Sequence, residues 1–212
     1  MVAVVVFEFS GMRCQPLRRA LCIKGIMKST KEKIIKHYAE FFEGHDFEIL
    51  SWELGPIKKI VPDFQVVRFA PGPQINMWVY CSVGASEITH RDSALYEFVV
   101  VSPIESNRLV EMLAMVTYYH SNHNLGFGHT LPIGEPWLEG SNCENWLISL
   151  PYPFGEDLEI MPLNSSHVHV AWLLPITDDE RNFKIKHDLD ALEQKFDDAE
   201  LKYWEVKRSS VV

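Results

Sequence analysis

Between residues 29 and 42 the apolar side chains Ile34, Ile35, Tyr38, Phe41 and Phe42 recur at three- and four-residue spacing behind Ser29 and Thr30. This predicts an amphipathic helix over 31–42 with a hydroxyl cap, ended by Gly44. Three apolar runs follow, at 64–69, 75–83 and 95–101. They are rich in valine, tyrosine and tryptophan and are divided by the turn segments APGP and GASEITHRD, so they read as strands of an antiparallel meander. Residues 107–120 carry Leu109, Val110, Met112, Leu113, Met115, Val116 and Tyr119 on most sides of a helical projection. They predict a helix packed deeply against the sheet, with Ser106 as its start signal. Short strands are expected at 146–150 and 168–174, the second buried on much of both faces and ended by Pro175. Thr177 and Glu180 then form a capping box for a helix over 178–196, with a possible interruption at His187 and Asp188. Strands and helices alternate irregularly and no repeat or linker divides the chain. The expected fold class is therefore α+β, a single-domain α/β sandwich with a central mixed sheet flanked by helices.

One stretch does not fit this pattern. Residues 121–140, SNHNLGFGHTLPIGEPWLEG, hold glycines, prolines, two histidines and a tryptophan with neither a helical nor an alternating period. A long segment of this kind inside a compact domain is usually an ordered functional loop, so a partner-binding surface is expected at Gly126, Gly128, His129, Glu135, Trp137 and Glu139. Gly126 and Gly128 permit conformations that other residues resist, Pro132 and Pro136 stiffen the path, and the acids can meet a basic surface. Trp137 is open to two readings: a rigid interface anchor, or a core residue under an ordered crossover.

Composition narrows the function classes. The 212 residues are 47% hydrophobic, enough for a substantial core, and the formal net charge of -9 makes a nucleic-acid backbone an unlikely partner and a basic protein a better one. Cys14, Cys22, Cys81 and Cys143 are scattered with no CxxC pair, which points to reduced thiols in the cytoplasm. The apolar run over 2–9 is short, contains Glu8 and has its arginines after it, so it is neither a signal peptide nor a membrane span. Residues 1–26 read as an N-terminal extension and 27–212 as the domain, the alternative being an added strand or amphipathic arm.

Candidate chemistry is weak. His120, His123, His129, His167 and His169 can be imagined converging on zinc, but no HExxH or carboxylate-histidine signature fixes them, and no metal or other cofactor is expected. Cys143 with His129 lacks a nucleophile elbow and reads as a core thiol. The carboxylates Glu135, Glu139, Glu144, Glu156, Asp157 and Glu159 read as an acidic solvated face rather than a glycosidase pair. No catalytic residue is expected.

Four blocks, WVYCSVGAS, LAMVTYYHSNHNLGFGHTLPIGEPWLEGS, LISLPYPFGEDLEIM and VAWLLPITDDERNFKIKHDLDALEQKFDDAELKYWEVKRSSVV, occur in the order of the suppressor of fused domain. From about Lys31 to Val212 the chain resembles that domain in its compact bacterial form. The resemblance implies an α/β sandwich, no established enzymatic activity and a role in binding proteins. In bacteria such domains are taken as immunity proteins of polymorphic toxin systems, and in animals the domain, joined to a second one, sequesters zinc-finger transcription factors. The expectation is a cytoplasmic, non-enzymatic protein that neutralises a cognate toxin. The alternatives are a peptide-binding adaptor and, less favoured, a metal-dependent enzyme.

Overall fold

The computed structural model describes residues 16–17, 29–91, 94–163 and 166–212, at 16–17 the backbone alone. The expected extension and the expected domain start at Met27 lie outside the described residues, apart from Pro16–Leu17. The described residues group into two compact units, a larger one within Cys14–Phe127 and Ser149–Trp172, and a smaller one within Gly128–Ile148 and Leu173–Val212.

The larger unit begins with β1 (Pro16–Leu17), α1 (Thr30–Phe41), β2 (Phe47–Ser51), β3 (Gln65–Phe69), β4 (Trp78–Val83), β5 (Leu95–Ser102) and α2 (Arg108–His123). β1 to β5 form an antiparallel meander in which each strand pairs with the next. The chain then makes β6 (Thr130–Pro132) and β7 (Cys143–Ser149) before returning with α3 (Glu156–Glu159), β8 (Ile160–Leu163) and β9 (Ser166–Thr177). β9 runs parallel to β5, Leu95 opposite Val168 and Val99 opposite Trp172, while β8 lies antiparallel to the start of β9. The sheet is therefore mixed, as expected.

Packing explains why these stretches lack alternation. Phe98, Val99, Val100 and Val101 of β5 are all at most 2% exposed, so both faces of the strand are covered and a continuous apolar run is required. α1 is capped by Ser29, whose hydroxyl accepts from Glu32 N at 3.2 Å while the Glu32 carboxylate accepts from Ser29 N at 3.4 Å. Its buried residues Ile34 and Tyr38 lie one turn apart, and Phe42 beyond it packs on Phe69 and Phe154 at ring separations of 4.7 and 5.5 Å.

Two charged side chains are withdrawn into this unit. Glu97 is fully buried and accepts from Gly84 N, Ala85 N, Ser86 N, Ser82 Oγ and Ser86 Oγ, the whole set lying between 2.5 and 3.2 Å. These donors offset part of the loss of water around the carboxylate, whose pKa burial still raises, and they fasten the turn after β4 to β5. Arg68 joins Glu48, Glu105 and Asn107 and stands 5.5 Å from the Trp78 ring centre, tying β2 and β3 to the entrance of α2.

In the smaller unit β6 pairs antiparallel with β7, and the end of β9 leads into α4 (Asp178–His187) and α5 (Leu189–Asp198). The capping box is present: Thr177 Oγ1 accepts from Glu180 N at 3.2 Å and Glu180 Oε2 accepts from Thr177 N at 2.9 Å. Asn145 of β7 donates to Asp178 at 2.8 Å beside it.

Several expectations need correction. β9 continues through Pro175 to Thr177, because the parallel register with β5 ends at Trp172 and the missing N–H of Pro175 costs no bond in that ladder. The helix over 178–196 is interrupted where its sequence suggested: it is two helices divided at Asp188, whose φ of 142° no helix accommodates and whose side chain caps α5 by accepting from Ala191 N at 2.9 Å. β2 is a strand the sequence pattern does not predict, since FEILS is only five residues long and its outer strand positions are partly exposed. The segment 121–140 is not structureless: α2 runs on to His123 and β6 lies within it.

Candidate functional site

The expected binding segment is a wide β6–β7 hairpin. Gly128 N donates to Ile148 O at 2.7 Å, Ile148 N donates to His129 O at 2.9 Å, and Ile133 N donates to Glu144 O at 2.8 Å. Gly128 is buried at φ +78°, a conformation that favours glycine, and a Cβ there would lie 3.3 Å from Leu189 Cδ2, which would have to give by a few tenths of an ångström. Gly126 is half-buried in the larger unit, where a Cβ would lie 3.4 Å from the Tyr96 hydroxyl. His129, Glu135 and Glu139 are exposed.

Trp137 is not an exposed anchor. It is 1% exposed, stands edge-on to Trp146 at 6.1 Å, and its backbone N–H donates to Cys143 O at 3.0 Å. With Leu138, 3% exposed, it folds the tip of the hairpin back onto the core of its own unit, because a wide loop carrying two large apolar side chains gains more from burying them than from projecting them. Of the expected surface, the exposed members are His129 and the two glutamates that flank the buried pair.

The histidines separate into distinct settings. His120 is fully buried: its Nδ1 accepts from Leu125 N at 3.0 Å, and its carbonyl faces His90 Nε2 at 2.8 Å. Burial, and then the neighbouring His90, lower the His120 pKa to about 4, so the ring is neutral near pH 7. His123 is exposed and stacks on Tyr119 at 3.8 Å. His129 belongs to the smaller unit.

His167 and His169 come together on β9. Their Nε2 atoms are 3.1 Å apart, and His169 Nδ1 faces Glu159 Oε1 at 3.4 Å. Alternate residues of a strand share a face, which a reading of the sequence can recognise. The contribution of Glu159 was not legible, because it depends on the antiparallel register that sets Ile160 opposite His169. Among the described residues no group of three or more histidine, cysteine or acidic side chains is placed to hold a metal ion.

The described thiols are poor nucleophiles. Burial pushes Cys143 up, and burial followed by the charge of Glu97 pushes Cys81 well up. No helix among the described residues is long and apolar enough to cross a membrane.

Residues 61–209 match the profile of the family Suppressor of fused protein (SUFU). A crystal structure described as a SUFU homologue from Neisseria gonorrhoeae is 36% identical, with 86% of this chain and 96% of that chain covered and a TM-score of 0.77. Two further structures share the fold at 14% identity. The Sufu–Fu complex has a TM-score of 0.60, with 85% of this chain and 91% of that chain covered. Drosophila Suppressor of Fused has a TM-score of 0.61, with 84% of this chain covered and only 50% of that longer chain. Among curated proteins there is no significant match. The profile spans well over half of the chain and the bacterial relative nearly all of its own length, so the chain belongs to the suppressor of fused protein family.

Proposed function

We propose that this chain is a non-enzymatic protein-binding domain that neutralises a cognate toxin in the cytoplasm, meeting a basic surface of that toxin with the acidic tip of the β6–β7 hairpin. The observation that carries this reading is the alternation at the tip. Glu135 and Glu139 are exposed on either side of Trp137 and Leu138, which are buried, so the acids are displayed by a segment pinned to the core. Little backbone freedom remains to be lost on binding, which favours a preorganised contact surface. The net charge of -9 adds a long-range attraction for a basic partner.

Two likenesses support the class of function. The Sufu that shares this fold is bound to the protein Fu in its crystal structure. The compact bacterial form of the domain, which the chain resembles, is taken as an immunity protein, and this supplies the toxin as partner.

The experiment is capture of the partner by the tagged full chain in its host, followed by association kinetics with the purified partner. Glu135→Lys with Glu139→Lys should slow association by about tenfold at low salt, with the difference closing at high salt. Thermal stability should be unchanged. Co-expression should also relieve the growth arrest caused by the partner. An unchanged association rate moves the surface elsewhere, and a captured partner that is harmless to its host overturns the immunity role while leaving the binding function standing.

A further inference from the structure

We propose that His167 and His169 form an open two-histidine site for a first-row divalent cation, zinc or copper(II), with Glu159 orienting the second imidazole. The two rings leave the same face of β9, and their Nε2 atoms approach to 3.1 Å. Nitrogens bound at about 2.0–2.1 Å to one tetrahedral cation stand about 3.3 Å apart, so the observed separation is close to the one a shared metal requires. Imidazole suits zinc and copper, and the Irving–Williams order places copper(II) above zinc.

The second imidazole is held from three directions. Glu159 Oε1 stands 3.4 Å from His169 Nδ1, the arrangement in which the Nδ1–H donates to a carboxylate and the Nε2 lone pair is left for a ligand. The rings of Tyr96 and Phe127 lie 5.8 and 5.6 Å from the His169 ring, Tyr96 being its register partner on β5. His167 is exposed and approaches His169 edge to face at 4.7 Å. With His169 Nε2 as acceptor, the 3.1 Å contact requires His167 to donate its Nε2–H. A cation takes the place of that proton, which His167 keeps by carrying it on Nδ1 instead, so charge and protons balance without a base. Two protein ligands leave the remaining coordination positions to water or to a donor from a bound macromolecule.

The test uses the full chain with zinc alone and copper(II) alone, titrated against a chromophoric chelator. One cation per chain should bind, and either metal should raise the unfolding temperature. His167→Gln with His169→Gln should weaken binding at least tenfold and remove the thermal shift while folding normally without metal. Glu159→Gln should weaken it about tenfold through loss of the orienting carboxylate. His129→Gln with His187→Gln, on exposed histidines of the other unit, should change nothing. In the copper form, electron paramagnetic resonance should report two imidazole nitrogens in the parent chain. Equal metal affinity in the parent and the His167/His169 variant, or a copper spectrum without two imidazoles, overturns the site.

Discussion

Arg208 donates from Nη1 and Nη2 to the two carboxylate oxygens of Glu180, at 2.5 and 2.7 Å, with both side chains withdrawn from solvent. Arg208 Nη2 also reaches Pro175 O at 2.9 Å, and Val211 N donates to Glu180 Oε1 at 3.2 Å. Glu180, the acidic member of the α4 capping box, therefore also holds the end of the chain against its own unit. Removing one partner of such a pair leaves a buried charge uncompensated. Arg208→Met should cost about 3–5 kcal/mol in urea unfolding. Arg208→Met with Glu180→Leu should cost less than the two single changes summed, and strict additivity would show that the pair does not act as one unit.

Thr177 tests the same junction more gently. Its hydroxyl satisfies one N–H of the first turn, so Thr177→Ala should lower stability by about 0.5–2 kcal/mol while Thr177→Ser retains most of it. Partner binding should be unchanged in the folded variant. Selective loss of binding would place this turn in the interface.

Trp137 separates core from surface. At 1% exposure it should behave as a packing residue: Trp137→Ala should cost about 3–5 kcal/mol in stability, and Trp137→Phe distinctly less. A Trp137→Ala variant with parental unfolding behaviour would contradict the burial of this side chain.

His120 should impose a pH dependence on stability. Its pKa is 6.5 as a free side chain and about 4 in the fold, so between these values the unfolded chain binds a proton that the folded chain refuses. Its contribution is complete above pH 6.5 and is lost as pH falls toward about 4, by as much as about 3 kcal/mol. His37, also lowered by burial, acts in the same direction. Unfolding free energies measured from pH 7.5 to 4.5 should fall less steeply for His120→Leu than for the parent. Parallel profiles would remove His120 as a cause.

Much of the framework was readable because it rests on local rules. Capping oxygens at Ser29 and Thr177 select their helix starts through bonds spanning three residues, and runs such as 95–101 are too apolar to lie anywhere but inside. The binding segment was readable only as an anomaly. Its glycines and acids stood out, but composition cannot say that Trp137 turns inward, since either side of a wide hairpin accommodates an indole until Trp146 is placed beside it.

By itself the sequence determined the order and type of most elements, the capping box at Thr177 and Glu180, the hydroxyl cap of the first helix and the family, because each is written in residues close together along the chain or in blocks kept in order. Only the tertiary structure decided which charges are internal and which histidines meet. Glu97 finds its donors across the β4–β5 turn, Arg208 reaches back 28 residues to Glu180, and Glu159 meets His169 through the β8–β9 register. These relationships depend on strand register and on the return of distant segments, and the pairing partner of a buried ion is chosen by that geometry and not by its neighbours in the chain.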